Sequence, residues 1–106
     1  MIEDIKAHFE KEYPREGCGI IGVVKGKKTW FPCRNLAEGN EDFVMSSEDW
    51  FEVKKKADIF AIVHNHIESS NEPSQSDINN CNALGIPYYI FSYPDLELNI
   101  VEPKEN

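Results

Sequence analysis

The chain has 106 residues, enough for one domain with a modest core that needs no disulfide or metal staple to fold. Its formal net charge is −8, and the only basic cluster, Lys54-Lys55-Lys56, ends an expected helix where lysines suit the dipole, so a nucleic-acid partner is not expected. The 3 cysteines lack metal-pair spacing, the acidic N-terminus opens no signal peptide and no apolar run reaches membrane-spanning length, which points to reduced thiols in a cytoplasmic protein with no membrane partner.

Ile2, Ile5 and Phe9 recur at helical spacing and predict a helix over 2–12 packed on a sheet, with His8 as a surface or packing residue beside that face. Tyr13-Pro14 ends it, because the residue before proline avoids the helical region. Cys18 to Val24 reads as an apolar strand, with Gly17, Gly19 and Gly22 allowing close approach of neighbouring backbone. A turn over 25–28 and a second strand, Thr29 to Cys33, complete a hairpin. A loop through Glu38 to Asp42 leads to a short extended piece, Phe43-Val44-Met45. Ser46 or Ser47 caps a second helix, with acids in its first turn and an apolar face of Trp50, Phe51, Val53 and Ala57. Asp58 to His64 is a buried strand and Ile67 to Glu72 a polar loop. A third helix runs from Ser74 or Gln75 to Leu84, with Ile78, Cys81 and Leu84 inward and Gly85 as its stop. Ile86 to Tyr93 and Leu96 to Val101 are the last strands, joined at Pro94-Asp95, and 103–106 is a tail. This order predicts a single α/β or α+β domain over 1–106, with a mixed sheet flanked by helices.

The chemistry concentrates around Val63-His64-Asn65-His66. In extended backbone, residues two apart face the same way, so both imidazoles leave the strand end on one face. Ser74 is the expected N-cap of the following helix and Asp77 falls in its first turn, from where it can fold back towards the histidines. Two histidines and an aspartate would leave a fourth position for water, the composition of a catalytic zinc site. Spacing alone leaves two readings open. His64 and His66 are either ligands or unliganded side chains, and Ser74 and Asp77 are either site residues or simply cap and dipole partners.

The pattern His-x-His, seven residues, Ser-x-x-Asp resembles the JAMM motif of the JAB/MPN metallopeptidase family. That family also carries an upstream glutamate near its first strand, and this chain has Glu16 in the matching context Tyr13-Pro14-Arg15-Glu16-Gly17-Cys18-Gly19. The resemblance covers about Tyr13 to Pro103. It departs at Asn65, where serine or threonine is usual, and at Ile67, where proline is usual. It implies the JAB/MPN fold, within the wider cytidine-deaminase-like class. Deaminase chemistry itself is disfavoured, since the H-x-E and P-C-x-x-C signature is missing.

By this resemblance His64, His66 and Asp77 hold one Zn²⁺, Glu16 is the general base and Ser74 donates a hydrogen bond to the oxyanion of an amide or isopeptide bond under hydrolysis. Cys18 is read as core, because a metal-water mechanism needs no thiol. The run Glu72 to Asp77, then Gly85 to Pro94 and Val101-Glu102-Pro103, is similar to the JAB domains of the phage tail assembly K group. In that group an NlpC-type cell-wall peptidase commonly follows, and this chain stops where such a domain would begin. The implied partners are a peptide or protein substrate and phage tail components or that peptidase, in the host cytoplasm or associated with the virion. Small JAB proteins that free sulfur-carrier or ubiquitin-like C-termini are the enzyme alternative. A non-catalytic MPN-like scaffold in a tail assembly is the alternative of another class, although a scaffold has no need of all five residues.

Overall fold

Alternation of apolar side chains along one central strand builds a core on each face of the sheet. The computed structural model describes residues 1–38 and 43–104. Its elements are α1 (Ile2–Glu12), β1 (Cys18–Val24), β2 (Lys27–Cys33), α2 (Ser47–Lys54), β3 (Asp58–Ile67), α3 (Gln75–Leu84), β4 (Tyr88–Tyr93) and β5 (Leu98–Val101). The five strands form one mixed sheet in the order β2-β1-β3-β4-β5, with β3 and β4 parallel and the other pairs antiparallel.

In β3, Ala61 and Val63 join Ile5 and Phe9 of α1 in one core, together with Ile21 and Phe91. Ile62, one residue out of phase, joins Val53 of α2 and Cys81 of α3 in the other, with Ile20, Tyr88 and Ile90. From Ala61 onward the strand period of two sends even-numbered β3 residues towards α2 and α3 and odd-numbered ones towards α1; a bulge at Phe60 reverses the phase before it, so Ile59 packs with the α2–α3 core and Phe60 with the α1 core. Ile62 and Val63 anchor the strand in both cores, at about 1.5–3 kcal/mol each, and the buried Ala61 adds a smaller share.

The α1–β1 stretch follows the sequence expectation closely. His8 packs, with Nε2 3.1 Å from the Cys18 carbonyl and its ring edge-on to Trp30. The first hairpin is tighter than expected, because Lys25 and Gly26 take φ of 51° and 79° and form a two-residue turn, which frees Lys27 and Lys28 for β2. The motif strand is longer than expected. β3 runs to Ile67, because its C-terminal residues pair with β4, His66 with Ser92 and Ile67 with Tyr93. The histidines therefore sit within the sheet, not beyond it. Leu84 is not inward but 48% exposed, and Phe51 of α2 is 59% exposed. β4 and β5 are each shorter than expected at their starts. Much of the loop expected through Glu38 to Asp42 lies outside the described residues, as do the last two of the expected tail; within that tail the Lys104 N–H bonds Asn82 Oδ1 at 2.8 Å. All three thiols are buried and unpaired. Among the described residues no helix is long and apolar enough to cross a membrane.

Candidate metal centre

His64 and His66 are both even-numbered, so they face α3. That helix begins on a capping box: Ser74 Oγ accepts from the Asp77 N–H at 3.0 Å, and Asp77 Oδ2 accepts from the Ser74 N–H at 2.9 Å. The cap fixes where the Asp77 carboxylate lies, and it lies between the two imidazoles. Asp77 Oδ1 is 3.0 Å from His64 Nε2, and Oδ2 is 3.2 Å from His66 Nε2. One donor atom from each of the three residues falls within 4.8 Å of the others.

The donor chemistry fits a divalent cation. His66 Nδ1 stands 2.9 Å from the Ser70 carbonyl, an acceptor only, so Nδ1 donates; Nε2 meets Asp77 Oδ2 at 3.2 Å, donating to it in the protonated ring and left as a bare ligand atom in the neutral one. His64 is 1% exposed, and neither of its ring nitrogens has an aligned hydrogen bond among the described residues, although carboxylate oxygens lie close. Buried polar atoms are normally satisfied. Short but misaligned approaches of nitrogen and oxygen suit a shared ion better than a direct bond.

Glu16 comes from the turn before β1, where Cys18 pairs with His64 across the ladder. Glu16 is 6% exposed, and its Oε1 lies 3.4 Å from His64 Nδ1. Two asparagines hold the Glu16–Gly17 peptide. Asn35 Nδ2 donates to the Glu16 carbonyl at 2.8 Å, and Asn65 Oδ1 accepts from the Gly17 N–H at 2.6 Å. The Asn65 N–H returns to the Gly17 carbonyl at 3.3 Å. Arg15, one residue earlier, donates to the carbonyls of Asn35 and Ala37. On its other side His64 is fitted between aromatic rings: Phe43 stacks on it with centroids 4.2 Å apart, and Tyr88 meets it edge-on at 6.0 Å.

Charge is concentrated here. Burial works to lower the His64 pKa, but the flanking Asp77 and Glu16 carboxylates outweigh it and hold the imidazole above its ordinary value. His66 is raised chiefly by Asp77, against its partial burial. For Asp77, burial opposes ionisation, yet the two imidazoles and the Ser74 N–H hold its carboxyl well below the usual carboxylate range. The thiols belong to a different environment. Burial pushes Cys18 well up and Cys33 up to about 12, and the Cys18 Sγ faces the carbonyls of Cys33 and Arg34, so neither is a nucleophile in waiting.

Four of the five residues singled out in the sequence thus converge: His64, His66, Asp77 and Glu16. Ser74 sits beside them as the cap, exposed, its Oγ accepting from Asp77 while its hydroxyl proton remains a donor. Asn35, Asn65, Phe43 and Tyr88 were not foreseen. Only Asn65, lodged between the histidines, carried any signal.

The family described as prokaryotic homologs of the JAB domain matches residues 1–101. Tail tip assembly protein K of Escherichia phage N15 is 38% identical over 104 residues, covering 97% of this chain and 43% of that protein. The chain therefore spans less than half the length of this curated relative. A solved protein from Desulfitobacterium hafniense superposes with a TM-score of 0.73 at 22% identity, covering 99% of this chain and 89% of the other. A JAB1/MPN domain protein from Archaeoglobus fulgidus does so with a TM-score of 0.62 at 18% identity, over 97% and 82%. The fold is shared with both, and the family match together with the phage relative shows that this chain belongs to the prokaryotic homologs of the JAB domain.

Proposed function

We propose that the chain is a zinc-dependent peptidase or isopeptidase acting on a peptide or protein substrate. The observation that carries this reading is the convergence of His64, His66 and Asp77 with the buried Glu16 carboxylate 3.4 Å from His64. Two imidazoles and a carboxylate are a zinc donor set with room for water. A bound Zn²⁺ would supply Lewis acidity and bring the pKa of water towards neutrality. The protein residues do the rest. Glu16 accepts the proton of the attacking water and passes it to the leaving amine. Asn35 and Asn65 keep its backbone in place. The Ser74 hydroxyl donates to the developing oxyanion from a helix N-terminus, whose field favours negative charge. Phe43 and Tyr88 hold the His64 ring and keep water from its faces.

The phage relative is named for tail tip assembly. It supports a tail component as the substrate, with the chain acting in the host cytoplasm or on the virion. An NlpC-type cell-wall peptidase is proposed as its functional partner on the resemblance alone.

The test is zinc content and peptide cleavage in the same preparations. Wild-type protein offered zinc at neutral pH should hold about one ion per chain, and His66→Ala should lose it. Glu16→Gln should retain zinc while cleavage of a mixed peptide library, followed by mass spectrometry, drops about 10²–10⁴-fold. A wild-type chain that takes up no zinc would make the scaffold reading the better one. Unchanged cleavage by the Gln variant would remove Glu16 from the mechanism.

A further inference from the structure

Next to the metal centre lies a groove of about 350 Å³, at the lower end of the roughly 300–1,000 Å³ usual for ligand pockets. Among the described residues no charged side chain lines it, in a chain where 28% of residues are charged. Three of its lining residues are large apolar side chains held out to solvent: Val44 at 57%, Phe51 at 59% and Leu84 at 48% exposure. Trp50 adds a further ring. Apolar side chains grouped around a concavity mark a binding surface more than scattered ones do.

The groove is continuous with the site. Phe43 and Tyr88, the two rings packed on His64, also line it. A peptide held over His64, His66 and Asp77 advances about 3.3 Å per residue in extended form. With Phe43 and Tyr88 as a shared wall, the substrate side chains nearest the scissile bond are the ones that lie beside the groove. Copies of a chain carrying a net charge of −8 repel one another, which argues against a second copy as the occupant.

We propose that this groove is the specificity pocket of the centre, taking one large apolar side chain such as leucine, isoleucine, methionine or phenylalanine, one or two residues from the bond that is cut. The inference rests on the peptidase reading and names its substrate class: extended segments with an apolar residue beside the scissile bond. Glycine leaves the groove unfilled, and aspartate places an unpaired charge in an uncharged cleft.

The experiment uses the zinc-loaded chain and hydroxamates as zinc-directed probes. Two series carry the side chain on either the acyl or the amine side of the chelating group. Each contains leucine, phenylalanine, glycine and aspartate members, and binding is measured by calorimetry. In one series the leucine and phenylalanine members should bind about ten- to a hundredfold tighter than the glycine member, with aspartate weakest. The Trp50 indole N–H should shift in NMR spectra on binding. Leu84→Lys and Phe51→Ser, both at exposed positions, should bring the leucine-to-glycine ratio towards one, with zinc content checking that the centre persists. Equal binding across both series, or a preference that survives both variants, overturns the pocket while leaving the metal centre standing. Failure of every member of both series to bind zinc-loaded protein overturns the peptidase reading, and the pocket with it.

Discussion

Asn65 stands between the two histidines yet serves the opposite face of the strand. Its side chain is fully buried and accepts from the Gly17 N–H at 2.6 Å, while Asn35 holds the preceding carbonyl at 2.8 Å. The peptide that carries Glu16 is thus gripped from both ends. Replacing Asn65 by alanine leaves the Gly17 N–H short of its acceptor, at a cost of about 1–3 kcal/mol. Urea unfolding of Asn65→Ala should show that loss. Zinc content should stay at the wild-type level while cleavage falls, because Glu16 is displaced and the ligands are not. A variant as stable as the wild type would mean that the bond contributes nothing. The sequence singled out the candidate ligands because their order and spacing are local features of the chain. It was silent on Asn35, whose contact with Glu16 bridges a loop and two strands.

The walls of the site are tied together between elements. Just after β2 the Arg34 side chain donates from Nε to Asp49 Oδ2 and from Nη2 to Asp49 Oδ1, each at 3.1 Å, and the Arg34 backbone N–H donates to Oδ2 at 2.8 Å. The same guanidinium bonds the Ser46 cap at 3.0 Å, so one side chain links the end of β2 to the first turn of α2. The Arg34 contact holds the Asp49 carboxyl below its ordinary value, against partial burial. A depressed carboxylate pKa stabilises the fold above the unfolded aspartate value, about 3.9, and that contribution fades as pH falls through the lower folded value. The stability gap between wild type and Asp49→Asn, measured by urea unfolding, should be constant from pH 7 to about 5 and close below about pH 4. A gap that widens with acid would have the sign wrong. Element boundaries were legible where the signal was local. The Ser74–Asp77 capping box and Gly85, at φ 67°, mark both ends of α3. The end of β3 was not legible, because pairing with β4 decides it. Leu84 was misjudged for a geometric reason. Steps of three residues drift by about 60° each around a helix, so a stripe through Ile78 and Cys81 has turned towards solvent by Leu84.

At the scale of the molecule, two cores share one sheet, and the site sits where its central strands leave the α2–α3 side. The fold class followed from the order of elements, and the centre from a motif within 14 residues plus one distant glutamate. The apolar groove was invisible in sequence, because it draws on α2 with the segment before it, β3, α3 and β4, whose separate patterns all read as ordinary core. The alternation of β3 has a consequence for the gene. Losing the Asn65 codon, beyond the bulge at Phe60 that could absorb a shorter strand, would make the two histidines neighbours on opposite faces, so that only one of them could meet Asp77. His64, His66 and Asp77 would all still be encoded, yet zinc uptake should vanish, whereas Ile62→Val should keep it. Along this stretch the number of codons matters more than which apolar residue each one spells.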